Sequence, residues 1–396
     1  MTPSPGASAW AFLPDVDLCA RCDIALVARP QPASRHASVE NFAGWLMGTA
    51  SKRRPTIDDV AALSGVARVT VSRVINDEPS VRAATRQRVL DAIDQLGYKV
   101  NVQARNLAAG NSRQIMLIHE SDVETEPNSY YFSGLELGAL TSCARLGYQL
   151  TVQAIEPGED GGRRQILALV DGGRCNGLIL TPPFSDRAGL VRALTEAACP
   201  VICIAAGPAV RGIAASIGID DDRAGYDMAR HLLGLGHRRI GYIHGIEGHV
   251  SAEGRYAGFA RALREAGIAP DARLAARGNF TFRSGIDCAE RILAGGDVTA
   301  IMCANDDMAA GALLTCHKHG LAIPGDVSVV GFDDTPVSDI VWPPLTTVHQ
   351  PIKEVGRQAA AALVERIEVG AAAADQRYDF IAHRIVERES AGPPPR

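Results

Sequence analysis

Residues 56–76 read TIDDVAALSGVARVTVSRVIN, residues 85–98 read TRQRVLDAIDQLGY, and residues 101–110 read NVQARNLAAG. The first string predicts a helix, a tight turn and a second helix with a polar, basic exposed face. The second predicts a supporting helix. The third is a short segment able to become helical on docking. Thr56 suits the cap of the first helix, with Asp59 three residues on as an approximate capping box. Val60, Ala61 and Leu63 fall on one apolar face, and Gly65 ends the helix where a left-handed residue is wanted. The next helix starts near Arg68 and turns Val71, Val74 and Ile75 inward. Arg68, Thr70, Ser72, Arg73 and Asn76 are left on other faces.

In a helix-turn-helix unit the first turn of the second helix meets base edges in the major groove, and Arg68 and Val69 occupy that turn. Arginine suits a guanine edge through two parallel hydrogen bonds, and valine offers apolar contact to a thymine methyl. Thr70, Ser72 and Arg73 are better placed for phosphates or mixed contacts. The competing reading is any small helical bundle with a solvated basic face. The strings TIDDVAALSGV, TVSRVIN, TRQRVLDAIDQLGY and the N-x-x-A-R-x-L pattern of Asn101 to Leu107 strongly resemble the N-terminal head of the LacI/GalR family of bacterial repressors. That resemblance implies operator recognition by Arg68, Val69 and Arg73, and Thr56, Thr70, Ser72 and Asn76 are expected to add further DNA contacts. It further implies a hinge helix at 101–112 in which Asn101, Ala104 and Leu107 act, Leu107 as an apolar wedge in the minor groove. Such a wedge costs a few kcal/mol of unstacking and gains a bent, better-wrapped site. Arg82 departs from the small capping residue usual there and should weaken one helix start.

At 396 residues the chain allows two or three domains, and 46% hydrophobic residues are enough for a sizeable core. The net charge of −5 argues against a generic polyanion binder. The basic surface is local, since residues 52–110 hold ten Lys/Arg against six Asp/Glu. Nine cysteines lie scattered and without regular spacing, which fits a reducing cytoplasm rather than a disulfide framework. Cys19 and Cys22 form a lone C-x-x-C without the second pair that structural zinc needs. No apolar run is long enough to span a bilayer. Residues 1–46 are rich in Pro, Ala and Ser and lack a helix or strand period. They read as a disordered extension or a mis-called start, with Met47 beginning MGTASKRRPTIDDVA.

From residue 115 apolar runs alternate with amphipathic stretches. Strands are expected at 115–120, 149–155, 177–182, 201–206, 240–245, 300–305 and 327–332, with helices such as 130–146, 223–235, 253–266 and 307–319 between them. Near-continuous apolar strands separated by helices mean parallel sheets covered on both faces. Two successive sets suggest two similar lobes. Ligands of such sheets bind outside the carboxyl ends of the strands, and a cleft between lobes is a standard place for hinge closure. Ser251, Arg255, Asn305 and Asp333 sit at or just after such ends. Arg, Asn and Asp can each make paired hydrogen bonds to vicinal hydroxyls, and Phe280 can stack on a sugar face or a base. Individually Arg255 could be a surface helix charge, and Asp333 with Asp334 could cap a turn.

The resemblance continues over 113–388, through GHRRIGYIHG, RYAGFARAL, NDDMAAGAL, VSVVGFDD and PPLTTVHQP. It implies a two-lobed periplasmic-binding-protein-like core. Arg255, Asn305 and Asp333 would be effector contacts and Phe280 the stacking residue, while His249 and Ser251 occupy positions that vary with ligand. Ala205 and Ala206 stand where sugar-responsive members often carry a polar residue. The segment ESDVETEPNSYYF departs from the commoner short form, so Tyr130 and Tyr131 would shape the pocket differently. The chain lacks a P-loop, H-E-x-x-H and G-x-S-x-G. His317 and His319, two apart on a helix, face different ways, where a shared metal needs a spacing of four. Enzyme catalysis, metal and cofactor are therefore not expected.

The expected architecture is an all-α helix-turn-helix head at 55–100, the hinge at 101–112 and a core at 113–388 of parallel sheets covered by helices. Lobe one is expected at about 113–218 and 350–373, lobe two at about 219–347 and 374–388, and a tail at 389–396. The expected function is a cytoplasmic repressor switched by a small molecule, with carbohydrate implied by the resemblance. A pseudo-palindromic double-stranded DNA operator calls for a homodimer, and the absence of a heptad run favours a dimer over a tetramer. Two other readings stay open: a solute-binding module without a transcriptional role, and an architectural DNA binder that ignores ligands.

Overall fold

The computed structural model describes residues 55–75, 78–98, 113–120, 129–156, 158–370 and 377–395. Asn76, the proposed hinge residues Asn101, Ala104 and Leu107, the Cys19–Cys22 pair and the whole of 1–46 lie outside them. The described residues divide into two compact units, one up to Tyr98 and one from Arg113 onward.

The first unit holds α1 (Ile57–Ser64), α2 (Arg68–Ile75) and α3 (Ala83–Leu96). They enclose a small core of Val60, Val71, Val74, Val89 and Ala92. The expected capping box is present, and Gly65 closes α1 at φ 66°. One residue departs from expectation. Leu63 is 45% exposed, and the inward position of the last turn is Ser64, whose hydroxyl donates to the Val60 carbonyl at 2.6 Å. Packing selects Ile57, Val60, Ala61 and Ser64, the i, i+3, i+4, i+7 stripe of a single helix face, and Leu63 falls off that stripe. No side chain caps α3 at Arg82.

The second unit is built of two parallel sheets. Its chain order begins β1 (Gln114–Glu120), α4 (Ser129–Leu146), β2 (Gln149–Ile155), α5 (Glu159–Asp171), β3 (Gly177–Leu180), α6 (Ala188–Glu196), β4 (Val201–Ile204) and β5 (Ala215–Gly218). It continues with α7 (Asp221–Leu235), β6 (Ile240–His244), α8 (Val250–Glu265), β7 (Ala275–Arg277), α9 (Phe282–Ala294), β8 (Ala300–Cys303), α10 (Asp306–Lys318), β9 (Ser328–Val330), α11 (Val337–Ile340) and β10 (Thr347–His349). Then come α12 (Ile352–Val369), β11 (Tyr378–Phe380) and β12 (Arg384–Val386). The first sheet has the order β11-β5-β4-β3-β1-β2 and the second β7-β6-β8-β9.

Alternation along β1 shows why both faces need helices. Ile115 and Leu117 enter one core cluster, while Met116 and Ile118 enter the cluster on the opposite face. The strands foreseen as apolar runs all form. β5, β7, β10, β11 and β12 lie outside the expected strands: segments such as AAR, TVH and YDF carry no extended apolar run, unlike the equally short β3, β4, β8 and β9.

Two expected boundaries move. Residues 374–388 are expected in lobe two, yet Tyr378–Phe380 pairs with Ala215–Gly218 in the first sheet. Only Arg384–Val386 crosses back, pairing antiparallel with Thr347–His349. The end of the chain is also more than a tail. Ser390 is buried and its hydroxyl donates to the Val329 carbonyl at 2.6 Å, while the Gly392 carbonyl receives His237 Nε2 at 2.8 Å. The Val329 N–H in turn donates to the Ser390 carbonyl at 2.9 Å, so both backbone groups of this β9 residue are paired with the segment. Among the described residues, no helix is long and apolar enough to cross a membrane.

Candidate nucleic-acid interface and inter-lobe cleft

In the head, Thr56 serves first as a helix cap. Its N–H and its hydroxyl each donate to Asp59 Oδ2 at 2.7 Å. This closes the start of α1 and leaves α2 rigidly seated on Val71 and Val74. The outer face of α2 is then fixed. Val69 is 60% exposed, a large apolar side chain offered to solvent at the first turn. Arg68 lies 3.7 Å from Asp58 and Arg73 lies 3.6 Å from Glu78, all four side chains well exposed. Such surface pairs are worth roughly 0–1 kcal/mol, so a phosphate or a base edge displaces them easily. Thr70 and Ser72 are half-buried beside them. The arrangement presents two cations around one apolar contact, on a helix short enough to enter a major groove.

In the second unit the cleft is organised by α7 and α8. These helices meet backbone to backbone, because a Cβ at Gly225 would collide with Arg255 O and one at Gly258 with Asp222 O. The close approach brings Asp221, at the start of α7, to Arg255, in the second turn of α8. Arg255 Nε donates to Asp221 Oδ1 at 2.9 Å and Nη1 donates to the Ala304 carbonyl at 2.6 Å. Nη1 also lies 3.6 Å from Asp333 Oδ1, and the guanidinium carbon sits 3.7 Å from the centre of the Phe332 ring. Arg255 is therefore no surface charge. It is a buried cation shared between two carboxylates, and its pKa is held up by Asp221 and Asp333 against the opposing effect of burial. Burial pushes the Asp333 carboxyl up to about 7, with Arg255 and the Gln350 amide pulling the other way.

Asn305, two residues beyond β8, caps α10, its Oδ1 accepting from Met308 N at 3.0 Å. Its Nδ2 donates to the Phe280 carbonyl at 2.9 Å, so the amide holds the Phe280 loop and keeps one N–H and one lone pair for other work. Phe280 lies over Gly245, where a Cβ would collide with its ring. Its edge-on neighbour is His249, with ring centroids 5.0 Å apart. Burial pulls the His249 pKa down to about 4, with Arg255 adding to the effect, which leaves a neutral imidazole at pH 7. Ser251 is buried and its hydroxyl reaches the Ala205 carbonyl of lobe one at 3.5 Å. Four residues around the cleft have positive φ without being glycine: Ala205 (50°), Phe280 (68°), Asp333 (107°) and Asp334 (55°). Backbone held in this region costs about 1–3 kcal/mol each and gathers at functional sites.

Effector candidates His249, Ser251, Arg255, Phe280, Asn305 and Asp333 thus converge. Of the two early tyrosines, Tyr131 turns inward, where burial and, after it, Asp333 raise its pKa, while Tyr130 is 43% exposed. Asp186, Asp221, Gln350 and Tyr378 also face this region and were missed. Asp221 follows β5, a strand with no visible signal. Asp186 sits on a short 3-10 turn after Pro182-Pro183, and Gln350 could have been noticed as the polar end of PPLTTVHQP.

Residues 56–101 match the profile of bacterial regulatory proteins, lacI family, and residues 229–391 that of a periplasmic binding protein-like domain. The chain is 34% identical over 321 residues to the HTH-type transcriptional regulator CelR of Thermobifida fusca, covering 80% of this chain and 93% of that one. It is 33% identical over 317 residues to the HTH-type transcriptional repressor PurR of Vibrio vulnificus, covering 79% and 92%. Among solved structures, a lac repressor dimer bound to operator and the anti-inducer ONPF superposes with a TM-score of 0.75 at 28% identity, over 86% of this chain and all of that one. A CelR–cellobiose complex gives a TM-score of 0.64 at 30% identity, over 85% of this chain and 100% of that one.

Proposed function

The chain belongs to the lacI family of bacterial regulatory proteins, and we propose from that premise how its named residues divide the work. It is a DNA-binding transcriptional regulator and not an enzyme, controlled by a small molecule held in the core. Arg68 and Val69 read base edges, and Thr70, Ser72 and Arg73 secure the backbone. Thr56 serves by fixing α1 beneath them. Asn76 and the hinge residues Asn101, Ala104 and Leu107 complete the DNA contact on binding. The protein works as a cytoplasmic homodimer on a two-fold operator, since each head reads one half-site.

The effector is a carbohydrate held by Arg255, Asp333 and Asn305 with Phe280 stacked on its apolar face. His249 and Ser251 line the opening. The observation that carries this reading is the buried Arg255, shared by Asp221 and Asp333 at the mouth of two parallel sheets. A cation and acids held there meet a polyhydroxylated ligand with both donors and acceptors, and a ligand lacking hydroxyls would leave them unsatisfied. Ala205 and Ala206 contribute no polar side chain, so lobe two makes most of the hydrogen bonds.

The test is a thermal-shift screen of the chain against sugars, sugar acids, sugar phosphates, nucleosides and purines, followed by operator titration with each hit. Ligand that binds only the folded state raises the melting temperature by mass action. A neutral sugar that shifts both melting and operator affinity supports the reading. A hit that leaves operator affinity unchanged removes the coupling between the two sites.

A further inference from the structure

One carboxylate near the cleft is not used by the effector contacts above. Asp186 belongs to lobe one, on the turn that follows β3. Its Oδ1 accepts from Gly207 N at 2.7 Å, and Gly207 lies on the segment leaving β4. From lobe two the backbone amide of Val250, the first residue of α8, approaches the same carboxylate. The two lobes touch at this point. A Cβ at Gly207 would sit 2.7 Å from Val250 Cγ1, although the Gly207 backbone itself, at φ −70° and ψ 174°, is open to any residue. Glycine is required here by what lobe two brings against it. Ser251, one residue further on, makes the second cross-lobe contact through the Ala205 carbonyl.

The second oxygen of Asp186 is buried without a hydrogen-bond partner. A charged oxygen in that condition is costly, and a protonated one much less so. Burial accordingly pushes the Asp186 carboxyl up to about 6, Asp221 adding to the rise and the Gly207 and Val250 amides opposing it. The other groups facing it are Tyr378 on β11 and Cys203 on β4, with Asp221 on α7. The neighbouring Arg187 is directed at Glu120, 3.7 Å away.

We propose that Asp186 is the positioning residue that couples cleft closure to a proton: its carboxylate ties the exit of β4 in lobe one to the first turn of α8 in lobe two, and takes up a proton as the lobes close. α8 carries Ser251 and Arg255, so the latch sets the distance between the effector contacts and lobe one. With the lobes apart, water solvates the carboxylate and it ionises as an ordinary aspartate. Closing removes that water, raises its proton affinity, and is favoured as pH falls through about 6. The consequence for operator control rests on the effector-cleft reading, while the latch itself does not.

Amide hydrogen exchange on the ligand-free full chain tests it, corrected for intrinsic rates between pH 5 and 7.5. The Val250–Ser251 amides of the native protein should gain protection at pH 5, by up to roughly tenfold for a carboxyl moving between ordinary and raised values. Asp186→Ala should lose both the protection and its pH dependence. Asp186→Asn, which keeps an acceptor oxygen without a charge, should retain protection that no longer changes with pH, and it carries the test should the alanine variant fold poorly. Protection of the central strand Ile240–His244 is the folding control. Unchanged exchange in Asp186→Ala, or full pH dependence surviving in Asp186→Asn, overturns the latch. Operator titration of the same variants reads the other question: a latch that responds to pH without moving ligand-dependent operator affinity leaves the latch standing and removes its regulatory role.

Discussion

Arg255 Nε and Asp221 Oδ1 stand 2.9 Å apart with side chains only 8% and 11% exposed, across the contact of α7 with α8. A pair this buried gains little net stability by being there, but losing one partner leaves the other charge uncompensated. Breaking such a pair typically costs about 3–5 kcal/mol. Arg255→Ala should therefore destabilise the core by roughly that amount in denaturant melts and abolish ligand-dependent change in operator affinity. Ligand-free operator binding at a temperature where the variant is folded should persist. An Arg255→Ala protein that still responds to ligand would remove Arg255 from the effector site.

Asp333 predicts a pH dependence with a definite sign. Its folded pKa, about 7, lies above the ordinary aspartate value because burial outweighs the pull of Arg255 and Gln350. The folded state therefore binds the proton more tightly than the unfolded chain. The stability linked to this group is fully present below about pH 4 and is lost as pH rises through about 7. Asp333→Asn cannot titrate, so its melting temperature should improve relative to the native protein between pH 4.5 and 7.5. A constant difference across that range would show that Asp333 is ionised throughout.

In the head, Arg68→Ala should relax discrimination at one base position by about 1–3 kcal/mol. Its pairing with Asp58 is exposed, so folding should be unaffected within about 0.5 kcal/mol. A binding panel of operators varied one base at a time measures the first, and circular dichroism the second. Uniform weakening across the panel would instead make Arg68 a phosphate contact.

Thr56→Ala tests the opposite division of labour. Removing the cap should cost the head about 1 kcal/mol and weaken all operators alike, with no change in base preference. A changed preference would place Thr56 on the DNA.

Ser390→Ala tests the docked end of the chain. The Ser390 hydroxyl accepts from Thr346 N at 2.8 Å and donates to the Val329 carbonyl at 2.6 Å. Its loss leaves a buried amide unpaired, at a cost of about 1–3 kcal/mol, read as a lower denaturation midpoint of the core. Unchanged stability would mean that the segment beyond Glu389 is dispensable.

What was legible in the sequence follows physical range. The capping box of Thr56 and Asp59, the left-handed Gly65 and the inward Val71 and Val74 are set by neighbours within one or two helical turns. The long apolar strands were legible for the same reason, since burial on both faces demands an unbroken run such as IMLI or AIMC. Leu63 was misread because apolarity alone cannot say which stripe the other helices cover. Short strands without an apolar run, among them Tyr378–Phe380, were invisible because partners supply their hydrogen bonds and no local pattern records them.

Local residue patterns suffice for the class: a small head with a basic helix, followed by a parallel α/β core with polar residues at its strand ends. Tertiary structure alone decided which charges meet. Asp221, Arg255 and Asp333 come from three elements far apart in the chain, and Asp186 reaches Gly207 and Val250 across two lobes. Their protonation and pairing depend on distance and on exclusion of water, and both exist only once Gly225 and Gly258 have let the helices close on one another.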